Sequence, residues 1–214
     1  MKQLGVGEFE SLDTNKYIVD MNKGNANILV AVRVRPLSHK ERQRQSTKSV
    51  KVLDEKLVIL KDESELGPEA AFRIGNRSKE QTYAFDIAFD EDASQKYVFE
   101  KSTNFLIDGI VGGYNGSVFA YGATGAGKTH TMLGSQNDLG IMGRSIKELF
   151  RQIQLNSSDR EYKLKISYIE VYNEIIRDLL SGSNQALELR EDAVKGVQVA
   201  GVLEIMTTNT EEIQ

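Results

Sequence analysis

Cysteine is absent from the 214 residues. That excludes disulfides, thiolate metal sites and a cysteine nucleophile, and it fits a reducing compartment. Long apolar runs are missing too. The longest near the N-terminus, Ile28 to Val32, ends at Arg33, far short of the roughly 20 residues that span a bilayer. Met1 to Asn27 is polar and mixed in charge, unlike a secretory leader, and reads as a loosely ordered arm. There is no excess of positive charge. The formal net charge of −4 argues against a generally basic nucleic-acid binder and leaves polyanion contacts to local patches. Proline is scarce, and both copies mark breaks: Pro36 ends a strand-like run, and Gly67-Pro68 lies in a charged stretch.

What is present is enough apolar residue for a real core: 40% hydrophobic against 27% charged. Ile28 to Val34 is β-branched and predicts a buried strand. Val50 to Leu53 and Leu57 to Leu60 flank Asp54-Glu55 and predict a hairpin. Lys61 to Lys79 reads as a surface loop. Tyr83 to Phe89 predicts a strand, Ala93 to Ile110 a helix, and Ser117 to Tyr121 a short buried strand. Ile146, Leu149, Phe150 and Ile153 fall at i, i+3, i+4 and i+7, an amphipathic helix. Tyr162 to Tyr172 alternates as a half-buried strand. Leu187 to Leu189 and Val197 to Val199 predict a second hairpin. This order of elements points to an α/β fold. Near the end, Thr208 with Glu211 has the form of a capping box, a helix start followed by only one turn of chain.

One motif carries chemistry. Gly122-Ala123-Thr124-Gly125-Ala126-Gly127-Lys128-Thr129 matches G-x-x-x-x-G-K-[ST], the phosphate loop of P-loop NTPases. Its glycines let successive N–H groups turn inward toward phosphate oxygens. The helix that follows adds its positive end. Lys128 can reach the β- and γ-phosphates, and the Thr129 hydroxyl can ligate Mg²⁺. A strand-like run before the loop and a helical pattern after it supply the required context. The ligand this implies is a nucleoside di- or triphosphate with Mg²⁺, and the loop itself does not distinguish adenine from guanine. No N-K-x-D guanine signature follows, and no apolar strand ending in Asp. Asp86 and Asp90, before the loop, are either turn caps or a second magnesium anchor. Glu170 is in mid-strand.

Several blocks together resemble the kinesin motor domain. Phe119-Ala120-Tyr121 enters the loop, and Lys128-Thr129-His130-Thr131-Met132 leaves it. Arg33-Val34-Arg35-Pro36 is similar to the family's first-strand motif. Phe85 to Asp90 with Gln95 and Val98-Phe99 resembles its second strand and first helix. Tyr168 to Glu174 with Arg177-Asp178-Leu179-Leu180 resembles the fourth-strand signature. Leu189-Arg190-Glu191-Asp192 with Gly196-Val197 is similar to the hairpin that follows. Ala123 to Ala126 and Met132-Leu133-Gly134 resemble the kinesin-eight class.

The resemblance implies a central mixed sheet flanked by helices, running from residue 28 to 214 and incomplete on its C-terminal side. It implies ATP hydrolysis coupled to movement on microtubules, and hence a place on the cytoskeleton in the cytoplasm. It implies that Arg33 and Pro36 line an adenine pocket with His130 opposite, although His130 also fits a plain helix-start residue. It makes Arg190 and Lys195 candidate contacts to tubulin, or else two solvated charges, and lets the loop before Lys79 reach the filament. Tyr172-Asn173-Glu174 is read as structural. The family's switch runs, N-x-x-S-S-R-S-H and D-x-x-G-S-E, are not in the sequence, nor are dimerisation elements. The expectations that follow are that this chain alone hydrolyses nothing and folds poorly. The alternative reading is a non-catalytic nucleotide-binding or interaction module.

Overall fold

The computed structural model describes residues 28–61, 80–158, 160–194 and 196–207. The N-terminal arm, most of the predicted loop before Lys79, Lys195 and the capping box at Thr208 lie outside the described residues.

The fold is mixed α/β, and the described strands pair in four small sheets. The chain forms two compact units, dividing between Glu148 and Leu149. In the first, β1 (Ala31–Arg33) runs parallel to β5 (Ile87–Phe89), with Ala31 opposite Ile87 and Arg33 opposite Phe89. β1 is shorter and less covered than its sequence predicts. Ile28 and Val30, inside the predicted strand but ahead of β1, are 69% and 48% exposed, and β5 is the one strand paired with β1 among the described residues.

The first predicted hairpin is present: β2 (Val50–Val52) pairs with β3 (Leu57–Lys61). Asp54 closes it by accepting the amides of Lys56 and Leu57 at 2.8 Å each, the side-chain turn that makes Asp frequent at such sites. The single strand predicted over Tyr83 to Phe89 is two. β4 (Glu80–Ala84) extends the β2–β3 sheet, and β5 belongs to the other. The switch falls at Phe85-Asp86, where the Asp86 carboxylate accepts the Val30 amide at 2.8 Å.

The predicted helix from Ala93 is also divided, into α2 (Gln95–Ser102) and α3 (Asn104–Val111); a short α1 (His39–Gln43) precedes both. Ser94 caps α2 through the Tyr97 amide. At its end Ser102 Oγ donates to the Val98 carbonyl at 2.6 Å, and Thr103 leaves helical geometry at φ −132. Such back-bonding competes with the helix ladder.

Ile87, Phe89, Val98 and Ile141 form the core of this unit, with Leu29, Ala93 and Met132 packed on it. Phe89, 2% exposed, meets the edge of Tyr97 at 5.7 Å between ring centroids. Met132 ends α4 (Lys128–Met132), and Ile141 begins α5 (Ile141–Leu155). The helix that follows the glycine loop is thereby anchored to the core.

Ser117 to Tyr121 corrects an expectation. It forms no strand, and Phe119 and Tyr121 are 81% and 97% exposed. Its residues suit a buried strand, but a strand exists only with a neighbour to accept its ladder, and none among the described residues does.

In the second unit β7 (Ile169–Tyr172), β8 (Ile175–Asp178), β9 (Ala186–Asp192) and β10 (Gly196–Ala200) make an antiparallel meander. Asn173 and Glu174, both at positive φ, form the two-residue turn that joins β7 to β8. The second predicted hairpin is β9–β10, with Leu189 opposite Val199. β6 (Leu164–Ile166) pairs with β11 (Ile205–Thr207), so the strand predicted from Tyr162 to Tyr172 divides at Ser167-Tyr168 between two sheets. The face predicted to be half-buried is exposed at this end, Tyr168 at 43% and Tyr172 at 63%.

Candidate functional site

The loop from Gly122 to Thr129 is an open turn leading into α4. Ala126 donates its amide to the Ala123 carbonyl at 3.1 Å, which tightens the loop at mid-span. Gly127 precedes the helix at φ +97, a conformation that costs an L side chain roughly 1–2 kcal/mol. A Cβ on Gly125 would meet no heavy atom within 4 Å, so the loop has free space on that side. The first amides of α4 have no partner inside the helix, as at every helix start.

Lys128 reaches back over this loop. Its Nζ donates to the carbonyls of Gly122 at 2.8 Å and Ala123 at 3.0 Å. The cation is thus held at the loop by two neutral acceptors, which an anion can replace with stronger, charge-assisted bonds. Thr129 is exposed next to it on the first turn. Backbone N–H groups, an ammonium and one hydroxyl are a donor set suited to a phosphate chain and its cation, so the residues fit Mg-nucleotide. Asp90 makes a turn-cap bond, accepting Asp92 N at 3.1 Å, whereas Asp86 accepts Val30 N, 56 residues earlier, and ties two distant segments together.

The predicted base-side residues converge only in part. Arg33 Nη1 donates to Gln95 Oε1 at 2.7 Å and to Thr131 Oγ1 at 3.1 Å, while Nη2 donates to the Ala93 carbonyl at 2.9 Å. Burial lowers the Arg33 pKa, and the Asp138 carboxylate opposes the shift. The guanidinium remains charged, since its ordinary value lies so far above neutrality. Gln95 Nε2 donates to the His130 carbonyl at 2.6 Å and lies 3.4 Å from the ring Nδ1. Arg33 and His130 are therefore joined through Gln95. Pro36 is placed differently: its carbonyl accepts from Arg35 Nη1 at 3.0 Å. Arg35 pairs with Glu41 through both carboxylate oxygens, at 2.7 and 2.6 Å, and its Cβ lies 3.9 Å from where a side chain on Gly127 would begin. The Arg33-to-Pro36 segment thus passes along the glycine loop.

Gln95 and Thr131 were not singled out as site residues by sequence. A signal for Gln95 existed. It is buried on the same face of α2 as Val98 and Phe99, a polar residue on an apolar stripe.

Arg190 is in the second unit, on β9, exposed and paired with Glu188 at 3.2 Å. Lys195 is outside the described residues.

Comparison with known proteins settles the family. Residues 33–214 match the Kinesin motor domain. This chain belongs to the kinesin motor-domain family. It is 47% identical over 186 residues to Kinesin-like protein KIF19 of Mus musculus, covering 87% of this chain and 18% of that protein. It is 39% identical over 208 residues to Kinesin-like protein KIN-8A of Arabidopsis thaliana, 97% of this chain and 27% of that one. The kinesin-eight likeness read from the loop agrees with these relatives. Among solved structures, a fast kinesin matches at a TM-score of 0.76 and 32% identity, over 87% of this chain and 50% of the other. The chain therefore spans 18% and 27% of the length of these two curated kinesins.

Proposed function

We propose that this chain is the nucleotide-binding part of a kinesin motor that couples ATP hydrolysis to movement on microtubules. The observation that carries this reading is Lys128 poised over an open glycine loop at the start of α4, within a chain of the kinesin family. Gly122 to Thr129 hold the phosphates of ATP or ADP, and Thr129 supplies the protein's hydroxyl to Mg²⁺. When bound, the Mg²⁺ neutralises charge on the phosphate oxygens. Arg33, Pro36 and His130 border the base. Arg33 contributes a fixed cation, since carbonyl, amide and hydroxyl oxygens hold its guanidinium.

The partner is the acidic surface of tubulin, with Arg190 and Lys195 as contacts, which places the protein on the cytoskeleton. No described helix is long and apolar enough to cross a membrane. Residues 28–214 form the N-terminal part of the motor head, after an arm of 27 residues. These residues bind nucleotide without turning it over. The carboxylates of Asp86 and Asp90, ahead of the loop, are occupied with backbone amides.

Titration of the full chain with fluorescent mant-ADP, with and without Mg²⁺, tests the reading, alongside a phosphate-release assay. Saturable, Mg²⁺-enhanced binding without phosphate release is expected. Absence of binding by folded chain overturns the nucleotide assignment. Steady phosphate release overturns the assignment of hydrolysis to residues elsewhere.

A further inference from the structure

We infer that Gln95 is a positioning residue for the base-side wall of the nucleotide site, fixing Arg33 and His130 relative to each other. The inference rests on the nucleotide reading above and adds a residue that neither the loop motif nor the family resemblance assigns to the site.

Gln95 is 2% exposed, yet it carries a primary amide. A buried amide is costly unless both its ends are satisfied, and here both are. Arg33 has only donors, so the atom facing Nη1 at 2.7 Å must be the amide oxygen. The His130 carbonyl is only an acceptor, so the atom 2.6 Å from it must be the amide nitrogen. The two partners independently demand the same orientation, which leaves the amide no flipped alternative. Gln95 is also the first residue of α2, whose Val98 and Phe99 are buried. Its backbone is therefore tied to the core, and the amide transmits that rigidity to the Arg33 guanidinium and the His130 carbonyl.

Arg33 is 62 residues before Gln95, and His130 is 35 after it. Besides Gln95, Arg33 meets α4 through the Thr131 hydroxyl at 3.1 Å, so the amide is one of two links and the one that reaches His130 itself. The phosphate cradle has its own supports, the Lys128 and Ala126 hydrogen bonds, and neither involves Gln95. Loss of the amide therefore acts on base recognition and leaves phosphate recognition intact.

The test compares two probes on the full chain: Mg-mant-ADP, which has a base, and inorganic tripolyphosphate, which has none. Gln95→Met keeps length and volume but makes neither hydrogen bond. It is expected to weaken mant-ADP about tenfold, the effect of one or two lost hydrogen bonds, and to leave tripolyphosphate unchanged. Gln95→Glu keeps an acceptor for Arg33 and turns an oxygen toward the His130 carbonyl. It is expected to show the same nucleotide-only loss, and it decides the matter if the Met variant fails to fold. Equal weakening of both probes, or no change in either, overturns the inference. Failure of the unsubstituted chain to bind either probe instead overturns the nucleotide reading itself.

Discussion

The carboxylate of Asp178 accepts the amide of Leu203, 25 residues further along the chain, at 2.6 Å. Its other oxygen accepts Leu180 N at 2.8 Å and Ser181 N at 3.2 Å. One carboxylate thus ties the end of β8, the turn after it and the approach to β11. Three amide donors stabilise the ionised form, led by Leu203, and hold the Asp178 pKa below its ordinary 3.8. Asp178→Asn presents at least one amide hydrogen to a donor. It is expected to lower the urea midpoint and the melting temperature. Because the folded pKa is depressed, the stabilisation is complete above about pH 5 and fades as pH falls through the folded value. The gap between native and variant urea midpoints should start to narrow near the ordinary carboxylate value and close only below the depressed folded value. A gap independent of pH would refute the role of the charge.

Gly134 and Gly113 both have positive φ, +73 and +99, but differ in surroundings. A Cβ on Gly134 would meet the Asp138 carbonyl oxygen and the Gly140 nitrogen at 2.3 Å, while one on Gly113 would meet nothing within 4 Å. Gly113→Ala should cost only the left-handed strain of roughly 1–2 kcal/mol. Gly134→Ala should cost more, because backbone must move, and it should loosen the turn in which Gly140 N donates to the Leu133 carbonyl at 2.9 Å. Paired thermal melts decide; equal losses contradict the account.

Local chemistry was legible in the sequence, and pairing was not. The glycine loop, both hairpins and the amphipathic α5 are set by residues within a few positions of one another. Ser117 to Tyr121 has the composition of a core strand, yet its place depends on a neighbour that local pattern cannot name. The break at Thr103 was equally hidden: Val98, Phe99 and Phe105 are all buried, so apolar spacing continues across a junction made by Ser102 back-bonding. At the site, the motif identified Lys128 and Thr129, but the Arg33–Gln95–His130 connection joins residues far apart in the chain and had to be seen in three dimensions.

Thr129 has a separable role. Thr129→Val keeps the branched shape and removes the hydroxyl. Affinity for ADP in EDTA should match that of the unsubstituted chain, while the gain on adding Mg²⁺ should fall about tenfold, worth ~1.4 kcal/mol. Titrations in EDTA and in Mg²⁺ measure both; an undiminished Mg²⁺ gain would remove Thr129 from the cation site.

Arg190 is exposed on β9 with Glu188 as its partner. Arg190→Glu places like charges together and presents acid toward an acidic filament. Co-sedimentation of the full chain with microtubules should drop severalfold at low salt, and the difference should vanish as salt screens it. A loss that persists at high salt would indicate misfolding rather than a charge contact.

Calorimetric titration of Mg-ATP into the full chain and its Lys128→Ala variant tests the phosphate cradle. Two charge-assisted hydrogen bonds at ~1.5 kcal/mol each predict about a hundredfold loss of affinity. Matching melting curves would show that the variant is folded. Unchanged affinity in folded Lys128→Ala would contradict the account.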